Sequence, residues 1–108
     1  MAHIWGQSKN IPATGADLSL TPGGTQSSGT LIQLSAQAIG GSGSYVYEFQ
    51  MKGPSTGDQW VILAPFSAVS TYDWDTTGLL GQYRARVRLK NAGTDDQPVQ
   101  RGRNLTLE

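Results

Sequence analysis

The sequence predicts an all-β domain, an antiparallel sandwich of about seven strands over residues 17–107. Three observations predict it. From Gly81 to Asn91, the residues Tyr83, Ala85, Val87 and Leu89 alternate with Gln82, Arg84, Arg86, Arg88 and Lys90. Period two over that length gives a strand with one dry face and one wet face, the pattern of an antiparallel sheet covering a core. The same alternation recurs at Ile32, Leu34, Ala36 and Ala38, and again at Tyr45, Tyr47, Phe49 and Met51. Between such runs lie turn clusters, and the 14 glycines suit a loop-rich β protein better than helices.

Taken in order, residues 1–16 carry little pattern and read as a linker or loosely ordered amino end. Residues 17–21 alternate through Leu18 and Leu20 and stop at Pro22-Gly23-Gly24. Residues 30–39 form the next strand, ended by the glycine-rich turn 40–43. Residues 44–52 follow, with the aromatic side inward and Val46, Glu48, Gln50 and Lys52 outward. After a loop at 53–58, Trp60 to Leu63 reads as a short strand ended by Pro65, with Trp60 covering the sandwich edge. Residues 70–74 place Tyr72 and Trp74 on one side and Asp73 on the other, sharing its face with Asp75. Thr76-Thr77-Gly78 turns the chain into the long strand, in which Val87 is expected in the core and Arg86 in water. The last strand, 99–107, points Leu105 and Leu107 inward, and Gly102 suggests a bulge.

With 108 residues the chain is one domain. Its formal net charge is zero, with charged residues at 15%, which argues against nucleic acid or another generic polyanion as partner. The charge is unevenly spread, since Arg84, Arg86, Arg88, Lys90, Arg101 and Arg103 all fall in the last quarter. The sequence has no cysteine, hence no disulfide, thiolate metal site or cysteine nucleophile. No apolar run is long enough to insert in a membrane, and the start lacks the pattern of a signal peptide. The expectation is one module cut from a longer protein, a monomer by itself, with any signal outside it.

Several segments together resemble a known family. Gly40-Gly41, then Tyr45-x-Tyr47-x-Phe49, Trp60, Tyr72-x-Trp74-Asp75-Thr76 and Gly81-x-Tyr83-x-x-x-Val87 are similar to the immunoglobulin-like repeats of large bacterial surface and secreted proteins. The run from Gly78 to Gly93 is also similar to fibronectin type III domains. The resemblance covers residues 17–107 and implies an immunoglobulin-like sandwich serving as a spacer or interaction module, often in tandem, and extracytoplasmic. It carries no catalytic residues. The chain departs from antibody domains in lacking both cysteines and a tryptophan in the third strand. Tyr83, just after a turn, takes the tyrosine-corner position, which puts its hydroxyl on backbone within 77–80.

Chemistry-bearing constellations are sparse. The one imidazole, His3, stands in the amino end, so the serines have no placed base and no enzyme is expected. Asp73 with Asp75, and Asp95 with Asp96, supply too few oxygens for calcium, and no cofactor is expected. Trp5 is the candidate exposed ring for a carbohydrate-binding alternative, while Trp74 reads as core. The row Arg84, Arg86, Arg88 and Lys90 stands along one sheet face, with Glu48 as the acid available across the strands. One reading is a docking face for an acidic protein domain, an anionic glycan or a lipopolysaccharide-like surface. The other is a solvated face whose like charges keep sheets apart, which is favoured because the alternation puts no aromatic among the arginines.

Overall fold

The computed structural model describes residues 13–41, 43–93 and 97–108. These residues are nearly all β, in two sheets. The strands are β1 (Gly15–Thr21), β2 (Gly24–Gln26), β3 (Leu31–Ile39), β4 (Tyr45–Lys52), β5 (Val61–Ser67), β6 (Thr71–Asp75), β7 (Gly81–Asn91) and β8 (Val99–Leu107). The smaller sheet runs β1-β3-β6 and the larger β2-β8-β7-β4-β5. Strand β2 was not expected; at three residues it is too short for periodicity to reveal, and it pairs parallel with β8. Strand β1 starts at Gly15, inside the stretch read as linker, and residues 1–12 lie outside the described part.

The alternating faces meet in one core. Leu18, Ile32 and Leu34 from the smaller sheet pack with Phe49, Tyr83, Val87, Leu89, Leu105 and Leu107 from the larger. Two aromatic pairs bridge the sheets: Phe49 stacks with Tyr72 at 6.2 Å, and Trp74 meets Tyr83 edge-on at 6.0 Å. Strand β7 is paired along both edges, antiparallel to β4 and to β8, so its dry face lies at the centre of the larger sheet.

Three local expectations are corrected. Strand β5 continues through Pro65 to Ser67; it is an edge strand paired only with β4, so the missing N–H costs it no second ladder. Its pairing is irregular around Phe49, and Tyr45, Tyr47 and Met51 are only partly buried. The β7–β8 register is unbroken from Gly81↔Leu107 to Leu89↔Val99, so Gly102 makes no bulge. A Cβ at Gly102 would lie 2.6 Å from the Arg84 guanidinium, so this glycine makes room for an arginine on the outer surface.

The third correction concerns Tyr83. Its ring is buried, as expected, but its hydroxyl accepts the Ser55 N–H at 3.1 Å. That amide belongs to a single 3-10 turn, Pro54–Thr56, instead of the 77–80 turn. Gly53 has extended backbone that any residue could adopt; its constraint is steric, because a Cβ there would run into the Tyr83 ring. The 77–80 turn is held instead by Thr76, which is fully buried. Its hydroxyl donates to the Thr30 carbonyl at 2.6 Å and accepts the Gly29 N–H at 3.1 Å, tying the β2–β3 loop to the end of β6. Its own carbonyl accepts the Leu79 N–H at 3.0 Å.

Val87→Asp should prevent folding, since it buries an unpaired carboxylate where Val87 is 0% exposed; circular dichroism at neutral pH checks this. Tyr83→Phe should lower unfolding free energy by about 1–2 kcal/mol, by orphaning the Ser55 N–H. Gly53→Ala should cost about 1–3 kcal/mol by overpacking against the same ring. Denaturant melts of the two variants test both figures.

Candidate functional site

The outer face of the larger sheet gathers the charged row. Strand β7 points Arg84, Arg86, Arg88 and Lys90 outward, and β4 beside it presents Glu48, Gln50 and Lys52. The register sets Glu48 opposite Arg88, Gln50 opposite Arg86 and Lys52 opposite Arg84. Glu48 is the acid in this row, and its Oε1 lies 3.4 Å from Arg88 Nη1. Lys52 reaches Asp58 of the neighbouring loop at 4.0 Å, an exposed contact worth about 0–1 kcal/mol.

This face is not simply solvated. Glu48 and Gln50, expected in water, are 7% and 5% exposed. The Gln50 amide donates to Glu48 Oε1 at 2.7 Å, and its Oε1 accepts Arg86 Nε–H at 2.6 Å. The arginines thus lie down over a polar seam instead of standing out from it. Arg86, expected in water, is half-buried, and burial first and Arg88 second hold its pKa below the ordinary arginine value, against the opposing pull of Glu48. It stays protonated, as guanidinium groups in proteins do.

Aromatics do interleave with the cations, contrary to expectation. The Arg86 guanidinium sits 4.0 Å from the centre of the Trp60 ring, and Lys52 Nζ 5.0 Å from it. Lys90 Nζ lies 5.3 Å from the Phe66 ring. Both rings come from the β5 side of the sheet, one strand beyond β4. A cation held over an aromatic face gains about 0.5–2 kcal/mol, more as it is desolvated. Trp60 therefore belongs to the site, though sequence reasoning placed it at the sandwich edge. A signal existed in retrospect: it immediately precedes an edge strand beside β4, but which face it joins depends on the irregular β4–β5 pairing.

An open groove of about 460 Å³ lies on this face, lined by Trp60, Arg84, Arg86, Gln100, Arg101 and Gly102. Arg84 forms a wall, its Nη1 donating to Asn104 Oδ1 at 2.8 Å. On the other side of β8, Arg103 fastens the two sheets: its Nε donates to the Leu18 carbonyl of β1 at 2.8 Å.

The remaining candidates are not brought to this site. Trp5, His3, Asp95 and Asp96 lie outside the described residues. Trp74 is core, at 2% exposure. Asp73 and Asp75 stand on the outside of the smaller sheet's edge strand. Among the described residues no group of three or more His, Cys, Asp or Glu could hold a metal ion, and no helix is long and apolar enough to cross a membrane. Asp75 closes a turn: its Oδ1 accepts the Thr77 hydroxyl at 2.6 Å and the Thr77 N–H at 3.0 Å.

Those two bonds, the hydroxyl first, hold the Asp75 carboxyl below its ordinary pKa. A depressed folded-state pKa means the contribution to stability is present above the unfolded value, about 3.9, and fades as pH falls through the folded one. Thr77→Val should move the Asp75 midpoint upward toward that value and flatten the loss of stability in acid. A carboxyl NMR titration of both proteins checks the shift.

Comparison with protein-family models gives no match, and no curated protein matches the chain.

Proposed function

We propose that this chain is a non-catalytic, immunoglobulin-like module of a longer protein, and that it docks an anionic partner on the outer face of its larger sheet. The strand motifs described above support a place in a bacterial surface or secreted protein. The interleaved strand orders, β1-β3-β6 facing β2-β8-β7-β4-β5, support the immunoglobulin-like topology, since the chain crosses between sheets at every connection except β4–β5 and β7–β8, as in Greek-key sandwiches.

One observation carries the docking reading. Lys52, Arg84, Arg86, Arg88 and Lys90 crowd against the single acid Glu48 on two adjacent strands, with Arg86 half-buried on Trp60. Crowding like charges and desolvating one of them opposes folding, and the exposed Lys52–Asp58 contact returns little. Keeping two sheets apart needs only charges standing in water. Arg86, laid over a ring and bonded to a buried amide, is instead pre-oriented, which lowers the ordering cost of binding. For the sugar-stacking alternative, Trp60 lies under Arg86 and Trp74 is buried, while its candidate ring, Trp5, lies outside the described residues.

Heparin, a generic polyanion, tests the reading. Amide resonances of residues 84–90 should shift at low and at physiological salt, and the shifts should vanish in an Arg84/Arg86/Arg88 triple-glutamine variant. Salt should weaken binding as counterions compete. Absence of any shift at 84–90 at low salt would refute docking on this face.

A further inference from the structure

The groove borders an open sheet edge. Strand β2 covers β8 only at Leu105–Leu107, where Gly24, Thr25 and Gln26 pair with it. Residues 99–103 of β8 pair with β7 on one side, and no described strand pairs with them on the other. Gln100, Arg101 and Gly102 on this stretch are also the groove's near wall.

The far wall is Arg86, and its donors are arranged for an incoming group. Its Nε is used on Gln50 and its Cζ lies 4.0 Å from the centre of the Trp60 ring, which holds the guanidinium in place. Neither terminal nitrogen of Arg86 donates to another described residue. Arg84 alongside uses Nη1 on Asn104, with no described partner for Nη2. Gly102 stands directly between the open edge and Arg86, its register partner. Lacking a side chain, it lets the Arg84 guanidinium lie across β8 toward that edge.

We propose that an extended acidic segment of a partner protein adds as a strand along the open edge of β8 at residues 99–103, and that its outward carboxylates reach the Arg84 guanidinium lying over Gly102 and, beyond it, the terminal nitrogens of Arg86. The proposal rests on the reading of this face as a docking surface and names its occupant. Strand addition supplies main-chain hydrogen bonds, and alternate side chains supply specificity. A planar guanidinium presenting two parallel N–H groups matches a carboxylate bidentately, which a lysine ammonium cannot. Sugar rings fit less well, because the groove's one aromatic face is already taken by cations. The half-buried, charge-crowded state of Arg86 is relieved when a carboxylate arrives.

The test uses the whole chain and two synthetic peptides, one alternating threonine with glutamate and one with glutamine replacing glutamate. The glutamate peptide should shift the amides of residues 99–103 and the Trp60 indole N–H, and should slow hydrogen exchange at the outward amides of 99–103. The glutamine peptide should bind about tenfold or more weakly, the loss of one charged bidentate pair. Arg86→Lys, which keeps the charge but not the fork, should weaken the glutamate peptide by a similar factor. Gly102→Ala, whose added Cβ would displace the Arg84 guanidinium, should weaken it as well. Unfolding midpoints of both variants serve as fold controls.

Equal binding of the two peptides, or wild-type affinity in both variants, would overturn the proposal. Heparin binding at 84–90 without any peptide effect at 99–103 would overturn it too while leaving the docking face standing. Loss of both responses would remove the face itself.

Discussion

The pairing of β7 along both of its edges is the constraint on which the rest depends. An edge strand can slip or bulge, but a strand hydrogen-bonded on two sides has its register held twice, by β4 and by β8. A slip of one residue would carry Ala85, Val87 and Leu89 into water and drive three arginines into the core. The buried face is thereby locked, and so is everything on the other face. Glu48 falls opposite Arg88, Gln50 opposite Arg86 and Gly102 opposite Arg86 from the other side because the inner residues demand it.

From that register the outer face acquires its character. A row of like charges at two-residue spacing would ordinarily extend into solvent, where each head is hydrated and screened. Here the neighbours alter the balance. Gln50 and Glu48 offer acceptors at the height of the sheet, and Trp60 offers an aromatic face beside them. Lying down gives Arg86 a hydrogen bond and a ring contact at the expense of part of its hydration. The desolvation and repulsion from Arg88 both disfavour the charged form, against the opposing pull of Glu48.

Two buried side chains hold the loops at one end of the sandwich. Tyr83 sets its ring against Gly53 and its hydroxyl under the 3-10 turn. Thr76 bonds to two backbone groups of the β2–β3 loop. In both cases one buried polar atom satisfies backbone groups that no strand ladder reaches, which is how irregular backbone is accommodated beside a dry core. Arg103 does similar work across the sheets, reaching from β8 to the Leu18 carbonyl on β1.

By itself the sequence determined the elements whose signal is local. Strict alternation over nine to eleven residues marks β3 and β7, and leaves no doubt which side of each is dry. It likewise made legible the cationic row and Glu48 as its partner, because both follow from period two and antiparallel neighbours. Tertiary structure alone decided whatever depends on contacts between distant residues. Periodicity says that Arg86 leaves the core; it cannot say that Trp60, 26 positions earlier, comes to lie under it through an irregular β4–β5 pairing. Tyr83 was legible as buried, since its ring obeys the alternation, but its hydroxyl chose Ser55 because the 3-10 turn, not the preceding one, sits over the phenol. Gly102 reads locally as a flaw in a strand, and only the neighbouring arginine gives it a reason. Burial is encoded one residue at a time; the partner of a polar atom is set by where the chain returns.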